Sequence, residues 1–421
     1  MRDAIARASA LAAFMSLVCG CVSGLSAQTF SHRGFVEFGA IGFAQKAPTD
    51  AVQAIGDLIV REELFVKPAS WMQFGGGVDI RANSHDQIDK DWEIDFFDRG
   101  VRRPPLAIRR LTATISHRGF ALDLGKQFIR WGTTDIVNPT DRFAPQDFLT
   151  VTDAAFLGIS AARVTVRSGN HALEAVWAPR FTPSRIPLID QRWTVLPPEI
   201  PPEAIVQQPA VFPTRPQSGA RYRYIASRGE YSLSFFDGFN HFPDLLLTQR
   251  PPQPPLPPVI EMVPAYPRIR MFGADSAVPV RWFTVKAEAG YFTSPMRTAD
   301  EFLLYVVQLE RQVGEWVFVG GYAGDAGARR RSPVSFSPER GLSRSILSRI
   351  AYTIDPNRSV HFECAVHQNG NGVYGKFEYS HARGSHWRMT VTAIGLGGRP
   401  DDFFGQYRRN SHLALRARYS F

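Results

Sequence analysis

The last eleven residues of the chain, 411–421 (SHLALRARYSF), alternate strictly between two kinds of side chain. One parity is apolar or aromatic, and its members are Leu413, Leu415, Ala417, Tyr419 and Phe421. The other parity is small or polar and includes Arg416 and Arg418. Successive side chains of a β-strand point to opposite sides of its sheet. The pattern therefore predicts a strand with an apolar medium on one side and water on the other.

The amino-terminal segment has the pattern of a secretory signal peptide, which we assign to residues 1–27. Arg2 and Arg7 precede an apolar stretch, and small residues follow it up to Ala27. The stretch is too short to span a bilayer as a helix. A lipoprotein-type cleavage box at Val18–Cys21 is an alternative interpretation. Export would leave Cys364 as the one cysteine of the mature chain, so no intramolecular disulfide is expected.

Composition limits how such a chain could enter a membrane. It is 44% hydrophobic, yet its mean hydropathy is −0.16, and the mature region holds no run of about 18 apolar residues. Closed barrels are the alternative to helices that satisfies every backbone group in lipid. We therefore predict one all-β domain over residues 28–421, a transmembrane antiparallel up-and-down β-barrel of about eighteen strands.

The connectors between the predicted strands alternate in length. Tight turns rich in Gly, Pro, Asn and Ser, such as Arg228-Gly229 and Asp355-Pro356-Asn357, alternate with long segments such as 83–106. Short turns at one rim and long loops at the other are typical of outer-membrane barrels, with the short turns in the periplasm. A soluble β-sandwich is the alternative. Aromatic strand ends favour the barrel, and they include Trp71, Tyr291, Trp316, Tyr322, Trp387 and Tyr419.

Two of the long loops, 180–217 and 240–267, are rich in proline. Proline fixes one backbone angle and lacks an amide donor, so we expect the dense stretches 197–217 and 251–267 to form stiff lids or rims without regular strands.

The polar parity of the strands supplies the residues expected to face the lumen, because an Arg or Lys facing lipid near the bilayer midplane costs about 2–4 kcal/mol. The basic candidates are Arg81, Arg110, Arg163, Arg167, Arg221, Arg223, Lys286, Lys376, Arg388, Arg416 and Arg418. The acidic candidates are Glu37, Asp79, Asp123, Glu174, Glu288, Glu310, Glu363 and Glu378.

Charges of both signs in a lumen would order water and discriminate between solutes, although pairing across strands would neutralise part of them. We expect Arg221, Arg223, Arg416 and Arg418 to form an anion-attracting ladder. The net charge of +9, from 48 Lys and Arg against 39 Asp and Glu, fits either an anion-favouring lumen or contacts with anionic headgroups. Nucleic acid is not expected as a partner of an exported chain.

The segment 125–148 (GKQFIRWGTTDIVNPTDRFAPQDF) is the most distinctive local sequence, and it follows the fifth predicted strand. It resembles the pattern of alginate-export-like and related porin families at Gly125, Lys126, Gln127, Trp131, Gly132, Asn138, Pro139 and Asp141. The resemblance implies a porin whose third long loop, residues 129–159, folds inward as a constriction. An ordinary external cap is the alternative. The candidate constriction residues are Arg130, Trp131, Asp135, Asn138, Asp141, Arg142 and Asp147.

These observations predict an integral outer-membrane porin for passive diffusion of small hydrophilic solutes, with a preference for anionic ones. The alternative is a closed structural or adhesive barrel that binds partners through its Pro-rich loops. We expect no enzyme activity, cofactor or metal site, because the histidines lack the close spacing of metal ligands and no nucleophilic group stands out. The expected contacts are outer-membrane lipid and lipopolysaccharide, and the sequence leaves a monomer and a trimer equally open.

Overall fold

A computed structural model of the protein describes residues 30–196, 200, 202–250, 259–296, 299–329 and 337–421. One large antiparallel sheet dominates it. We number its barrel strands in chain order as β1 (Phe30–Phe43), β2 (Ala54–Ala69), β3 (Met72–Asn83), β4 (Leu106–His117), β5 (Phe120–Gln127), β6 (Ile159–Ser168), β7 (His171–Ala178), β8 (Gln217–Ala226), β9 (Gly229–Phe239), β10 (Arg268–Pro279), β11 (Thr284–Thr293), β12 (Glu301–Val313), β13 (Trp316–Arg329), β14 (Ser345–Asp355), β15 (Arg358–His367), β16 (Gly372–Arg383), β17 (Trp387–Gly398) and β18 (His412–Ser420). The predicted signal peptide lies outside the described residues.

The sheet closes on itself. Each barrel strand pairs with the strands before and after it in the chain, and β1 pairs with β18 from Phe35 opposite Ser420 to Phe43 opposite His412. The seam continues to Gly34 and Phe421, whose amides and carbonyls exchange two hydrogen bonds of 3.0 Å each. One closed sheet excludes the β-sandwich. The prediction of an eighteen-strand antiparallel barrel is confirmed.

The two rims differ as the connector lengths predict. Connectors such as Gly314-Glu315 between β12 and β13 are two-residue turns. At the other rim the connectors are long, and four of them enter the analysis below: loop 2 (84–105), loop 3 (128–158), loop 4 (179–216) and loop 5 (240–267). A short parallel strand, Ile94–Asp95, joins the sheet from loop 2. No helix in the described part of the chain is long and apolar enough to cross a membrane.

Local contacts set the boundaries of two strands. Val280 donates its N–H to the Phe283 carbonyl at 2.8 Å and so closes a turn. β11 accordingly starts at Thr284. β13 continues to Arg329, which lies opposite Glu301 of β12, whereas its pairing with β14 ends at Ala323.

The expectation that the proline-dense stretches contain no regular strand is wrong. Val259–Ala265 pairs antiparallel with Asp244–Arg250 and parallel with Ile205–Gln207, which forms a separate three-stranded sheet. Five residues of the middle strand, Val-Ile-Glu-Met-Val, precede its single proline and include three β-branched side chains. Pro264 lies near the end of that strand, opposite Leu245. The prolines of 251–258 lie outside the described residues.

The outer parity of the wall is apolar and exposed. Its large exposed members include Phe74, Leu111, Phe272, Tyr291, Trp316, Phe318, Phe362, Phe377, Trp387, Met389, Leu413 and Leu415. Soluble monomers rarely expose so continuous an apolar surface. The charged side chains of the other parity lie inside the barrel, where the loops meet them.

Gly125 in β5 supplies a test of the wall's backbone geometry. Its φ is +107°, and a Cβ added there would lie 2.1 Å from the Leu111 carbonyl oxygen of the paired strand. Because that neighbour is backbone and cannot rotate away, we expect Gly125→Ala to cost at least about 1–3 kcal/mol and to lower the temperature at which the folded band is lost in gel electrophoresis. Gly320→Ala is the control, because a Cβ at Gly320 meets nothing within 4 Å. If both variants lost the folded band at the same temperature, the close approach of the Leu111 carbonyl to Gly125 would not limit substitution there.

Candidate functional site

Loop 3 lies inside the barrel and packs by apolar side chains. Trp131 is 2% exposed, and its ring packs edge-on against Phe143 with centroids 5.2 Å apart. Phe143 in turn contacts Phe236 of β9 at 5.0 Å. The Trp131 indole N–H donates to Glu174 of β7. These contacts fix the first half of loop 3 against one side of the wall.

The wall under loop 3 is shaped for it. Inward positions on four adjacent strands, β9 to β12, are apolar and fully buried, and they are Phe236, Met271, Phe292 and Leu304. Between them a Cβ at Gly273 would lie 2.7 Å from the Thr140 methyl carbon, and one at Gly290 would lie 3.3 Å from Pro139. The glycines therefore let the loop backbone approach the wall closely.

Glu288 of β11 is the polar anchor of loop 3. Its carboxylate is 2% exposed and accepts backbone N–H bonds from Thr133 (2.8 Å), Thr134 (3.1 Å) and Thr140 (2.9 Å). The hydroxyls of Thr134 (3.0 Å) and Thr140 (2.9 Å) donate to it as well. Hydrogen bonds to an ionised acceptor are stronger than neutral ones. Glu288, which was predicted to face the lumen, thus binds loop 3 and does not face open space.

Asp135 extends the contact between loop 3 and the wall to two more strands, β12 and β14. It bonds to Gln308 of β12 and lies 3.1 Å from the Lys286 ammonium of β11, with the Arg349 guanidinium of β14 at 3.8 Å. Burial alone would raise the pKa of Asp135, but its hydrogen bonds from Gln308 and Lys286 outweigh this and lower its pKa. Loop 3 therefore crosses the lumen from β5 to strands on the far wall.

Asn138 and Asp141 hold the internal shape of loop 3. The Asp141 carboxylate accepts the backbone N–H groups of Trp131 and Gly132, the latter at 2.7 Å, and pairs with Arg130 at 3.1 Å. The Asn138 side-chain amide donates to the Thr134 carbonyl. These bonds give a physical role to the Trp-Gly and Asn-Pro-x-Asp pattern of the sequence.

A buried chain of charges joins loop 3 to loops 2 and 4. Its five members alternate in sign as Lys126, Asp98, Arg185, Asp147 and Arg103. The nitrogen–oxygen distances between successive members, in this order, are 2.6, 2.8, 3.2 and 2.9 Å. Each member is less than 10% exposed. Burial alone would raise the pKa of Asp147, but the charges of Arg103 and Arg185 hold it well below its usual range. We call this group the loop clamp.

His241 connects loop 5 to the same assembly. Its ring nitrogens lie 2.6 Å from the Thr182 carbonyl of loop 4 and 2.7 Å from the Arg142 carbonyl of loop 3. Burial lowers the pKa of His241 to about 4, so the ring is neutral near pH 7 and donates one of these hydrogen bonds at a time. Arg142 itself pairs with Glu339 at 2.7 Å.

Loop 3 leaves a passage along the opposite wall, beside β18 and β1 to β3. This space has a volume of about 200 Å³. Thr150, Asp153 and Ala155 of loop 3 bound it on one side, and Trp193 of loop 4 contributes at its edge. The charged residues that line the passage are Arg61, Arg81, Arg103, Arg416 and Arg418 with Glu37, Asp57 and Asp153. Five cations thus face three carboxylates.

Most of the lining cations have a carboxylate partner. Arg418 lies 2.6 Å from Glu37, and Arg416 pairs with Asp153 of loop 3. Arg61 and Arg81 both pair with Asp79, at 2.6 and 3.1 Å. The pairs hold the guanidinium groups in place around the passage.

The expected four-arginine ladder is split between two places. Arg416 and Arg418 line the passage, whereas Arg221 lies behind loop 3 and pairs with Asp275 at 2.9 Å. Arg223 has a buried Nε with no hydrogen-bond partner among the described residues. Asp275 also accepts the Thr133 hydroxyl at 2.6 Å, so this cluster supports loop 3.

The other predicted lumen residues form local pairs. The pairs are Arg163 with Asp123 (2.8 Å), Lys286 with Glu310 (2.6 Å), Glu363 with Arg349 (3.0 Å) and Lys376 with Glu378 (3.1 Å). Arg110 lies over the Phe128 ring at 5.4 Å. Arg388, a predicted lumen residue, is exposed and makes no ion pair with the described residues.

Several residues of this region were not singled out from the sequence. They are Arg61, Asp98, Arg103, Arg109, Asp153 and Arg185. Arg61 shares the inward parity of its strand and could have been found by extending the same alternation to β2. The loop residues lie outside the strands and so carry no periodic signal, and their partners are distant in sequence.

Comparisons with known proteins support the fold. No family model matches the chain, and no curated protein matches it significantly. The barrel is similar to that of OccAB4 from Acinetobacter baumannii, with a TM-score of 0.53, 11% identity and coverage of 94% of this chain and 100% of that one. A BenF-like porin from Pseudomonas fluorescens matches with a TM-score of 0.53 and 9% identity, over 93% of this chain and 98% of that one. OccK2 (OpdF) from Pseudomonas aeruginosa, solved with glucuronate, matches with a TM-score of 0.51 and 11% identity, over 93% of this chain and 95% of that one.

At these identities the comparisons show a shared porin-type barrel and nothing finer. The likeness of segment 125–148 to the alginate-export-like family stays a resemblance, since no family model matches.

Removing the charge of Glu288 tests the anchoring of loop 3. Glutamine offers a single acceptor oxygen and turns its N–H groups either toward the amides of Thr133 and Thr134 or toward the amide of Thr140, so we expect Glu288→Gln to weaken the docked loop by about 3 kcal/mol. Trypsin should then cleave after Arg130 or Arg142 in the folded protein on the order of 100-fold faster than in the wild type.

Glu378→Gln is the matched control, because Glu378 is also an inward glutamate but pairs with Lys376 and not with loop 3. Equal protease resistance of wild type and Glu288→Gln would rule out Glu288 as the anchor.

Proposed function

We propose that this protein is an integral outer-membrane channel for passive diffusion of small hydrophilic solutes. The observation that carries the proposal is a closed eighteen-strand barrel whose interior holds a charged passage of about 200 Å³ beside loop 3. A structural barrel needs no arginine-rich opening along one wall. Such an opening is what diffusion of hydrated solutes requires.

The apolar outer face supports the membrane location. Barrel walls in lipid expose apolar side chains and satisfy every backbone group through neighbouring strands. In this orientation the short turns lie in the periplasm, and the long loops lie outside the cell near lipopolysaccharide. Residues 129–159 then act as the constriction, because loop 3 contacts strands on both sides of the lumen and confines solutes to the wall at β18 and β1 to β3.

A preference for anionic solutes follows from the lining charges. Five arginines line the passage, and the carboxylates of Asp79 and Asp147 that pair with three of them lie outside its lining. The surface that faces a solute is therefore rich in cationic groups, which raises the local concentration of anions. The OccK2 structure in complex with glucuronate, a sugar acid, belongs to a barrel of the same fold. We therefore assign small carboxylate-bearing solutes, sugar acids among them, as the substrate class.

Conductance in planar bilayers tests the channel directly. We expect the purified, folded protein to give discrete current steps, because the proposed function requires a water-filled path through the barrel. Under a potassium chloride gradient the reversal potential should have the sign of an anion-preferring pore. Permanently silent protein that resists unfolding in detergent would instead identify a closed barrel.

Asp153→Asn tests the origin of the preference. The substitution removes one carboxylate from the passage and frees Arg416 of its partner. We expect the anion-to-cation permeability ratio to rise by about 2- to 5-fold, since one unit charge a few ångströms from an ion in water is worth roughly 0.5–1 kcal/mol. Glu315→Gln, in the exposed turn between β12 and β13, is the control and should leave the ratio unchanged. A ratio that falls with Asp153→Asn would overturn the assignment of the passage.

A further inference from the structure

A small pouch opens between the wall and the loop clamp. Its volume is about 40 Å³, and loops 2, 3 and 4 close it against β3 and β4. The charged residues that line it are Asp79, Arg81, Asp98, Arg103, Arg109, Asp147 and Arg185. One water molecule occupies about 30 Å³ in the liquid, so the pouch has room for a few atoms and none for a sugar ring.

The pouch has an excess of positive charge. Four of its lining residues are arginines and three are aspartates. The aspartates also contact Arg61 and Lys126, so six cations share three carboxylates. Of the lining arginines, Arg103 and Arg185 are more than 90% buried. Burying charge is costly unless it is compensated, so the cluster as described lacks negative charge.

Each of the three aspartates is already paired with two cations. Asp79 accepts two bonds from Arg61, at 2.6 and 2.7 Å, and one from Arg81 at 3.1 Å. Asp98 and Asp147 are the two acidic members of the loop clamp, and each contacts two cations.

Arg109 is the cation that this pairing leaves over. It makes no ion pair or hydrogen bond with the described residues, and its Nε is buried without a partner. Its guanidinium lies over the Phe128 ring at 4.5 Å. The nearby Glu63 is engaged by Arg33 at 2.7 Å.

A β-bulge explains why Arg109 points into the pouch. The register between β3 and β4 slips there, with Gly77 opposite Arg110 and Val78 opposite Ile108. The extra residue breaks the alternation, so Arg109 turns inward beside its neighbour Arg110. Bulges re-aim side chains, and here the re-aimed side chain is a cation without a carboxylate.

We propose that the pouch binds one small monovalent anion, either a halide or the carboxylate group of a small acid, with Arg109 as its main donor. The anion completes the charge balance of the loop clamp and stabilises the packing of loops 2, 3 and 4 against the wall. This site adjoins the passage, with which it shares Arg81 and Arg103. It goes beyond the proposed function, because it would hold its anion whether or not the channel conducts.

Bromide locates the site by anomalous scattering. In crystals of the full chain soaked in sodium bromide, we expect an anomalous peak within the pouch, in contact with the Arg109 guanidinium. The peak should be absent in Arg109→Gln and present in Arg223→Gln, which also removes an inward arginine with a partnerless buried Nε. No peak in the wild-type pouch, or a peak that persists in Arg109→Gln, would overturn the proposal.

A solution measurement keeps the test independent of crystals. At equal ionic strength, replacing sodium gluconate, whose anion is too large for the pouch, by sodium bromide should raise the wild-type melting temperature by about 2–4 °C and leave Arg109→Gln unchanged. Sodium formate distinguishes a carboxylate from a halide as the bound anion. If formate raises the melting temperature as much as bromide does and removes the bromide peak, the pouch is a carboxylate site. If formate does not raise the melting temperature, the pouch is a halide site. Equal shifts in wild type and Arg109→Gln would show an unspecific salt effect and refute the site.

Discussion

Closure of the sheet between β1 and β18 is the constraint on which the rest of the structure depends. A strand left unpaired would expose a row of amides and carbonyls, and in lipid no water would satisfy them. Pairing Gly34 with Phe421 and Phe35 with Ser420 removes both edges at once. Once the ring is closed, every strand has one face outside and one inside. The alternation of apolar and charged residues then follows as a consequence of geometry.

The enclosed space is divided unequally by loop 3. Apolar contacts and the Glu288 carboxylate bind the loop to the far wall, so packed side chains occupy that half of the lumen. The inward rows there are apolar or engaged with the loop. On the opposite side the loop presents Asp153 to a wall of arginines, and water has room to remain. A single anchored loop thereby converts a uniform barrel into a one-sided passage.

The sequence was sufficient for the wall because its signals are local and periodic. Alternation in the last strand and in β15 to β17 needs no knowledge of distant residues, and the turn residues mark where each hairpin reverses. The interior was harder to predict. Arg221 and Arg416 look alike in sequence, yet one supports loop 3 and the other lines the passage, because loop 3 lies against only one of them.

The sequence also contained a sign of where loop 3 docks, in apolar residues at positions that should face the lumen. Phe236, Met271, Phe292 and Leu304 break the polar parity on adjacent strands, and an apolar inward patch of this kind marks where a loop will dock. Arg109 could not have been placed, because a one-residue slip in register reverses the facing of a side chain and leaves no mark in the periodic pattern.

Pairing and selectivity are compatible in this arrangement. An unpaired arginine would move freely and would bind an anion tightly enough to slow its release. A guanidinium held by a carboxylate on one side, as Arg418 is by Glu37, keeps a fixed position and a weakened field. Conduction requires binding that is favourable enough to admit a solute and weak enough to release it. If the channel conducts anions as proposed, its lining meets both conditions, because the five arginines attract anions while no single site holds the full charge of an isolated cation.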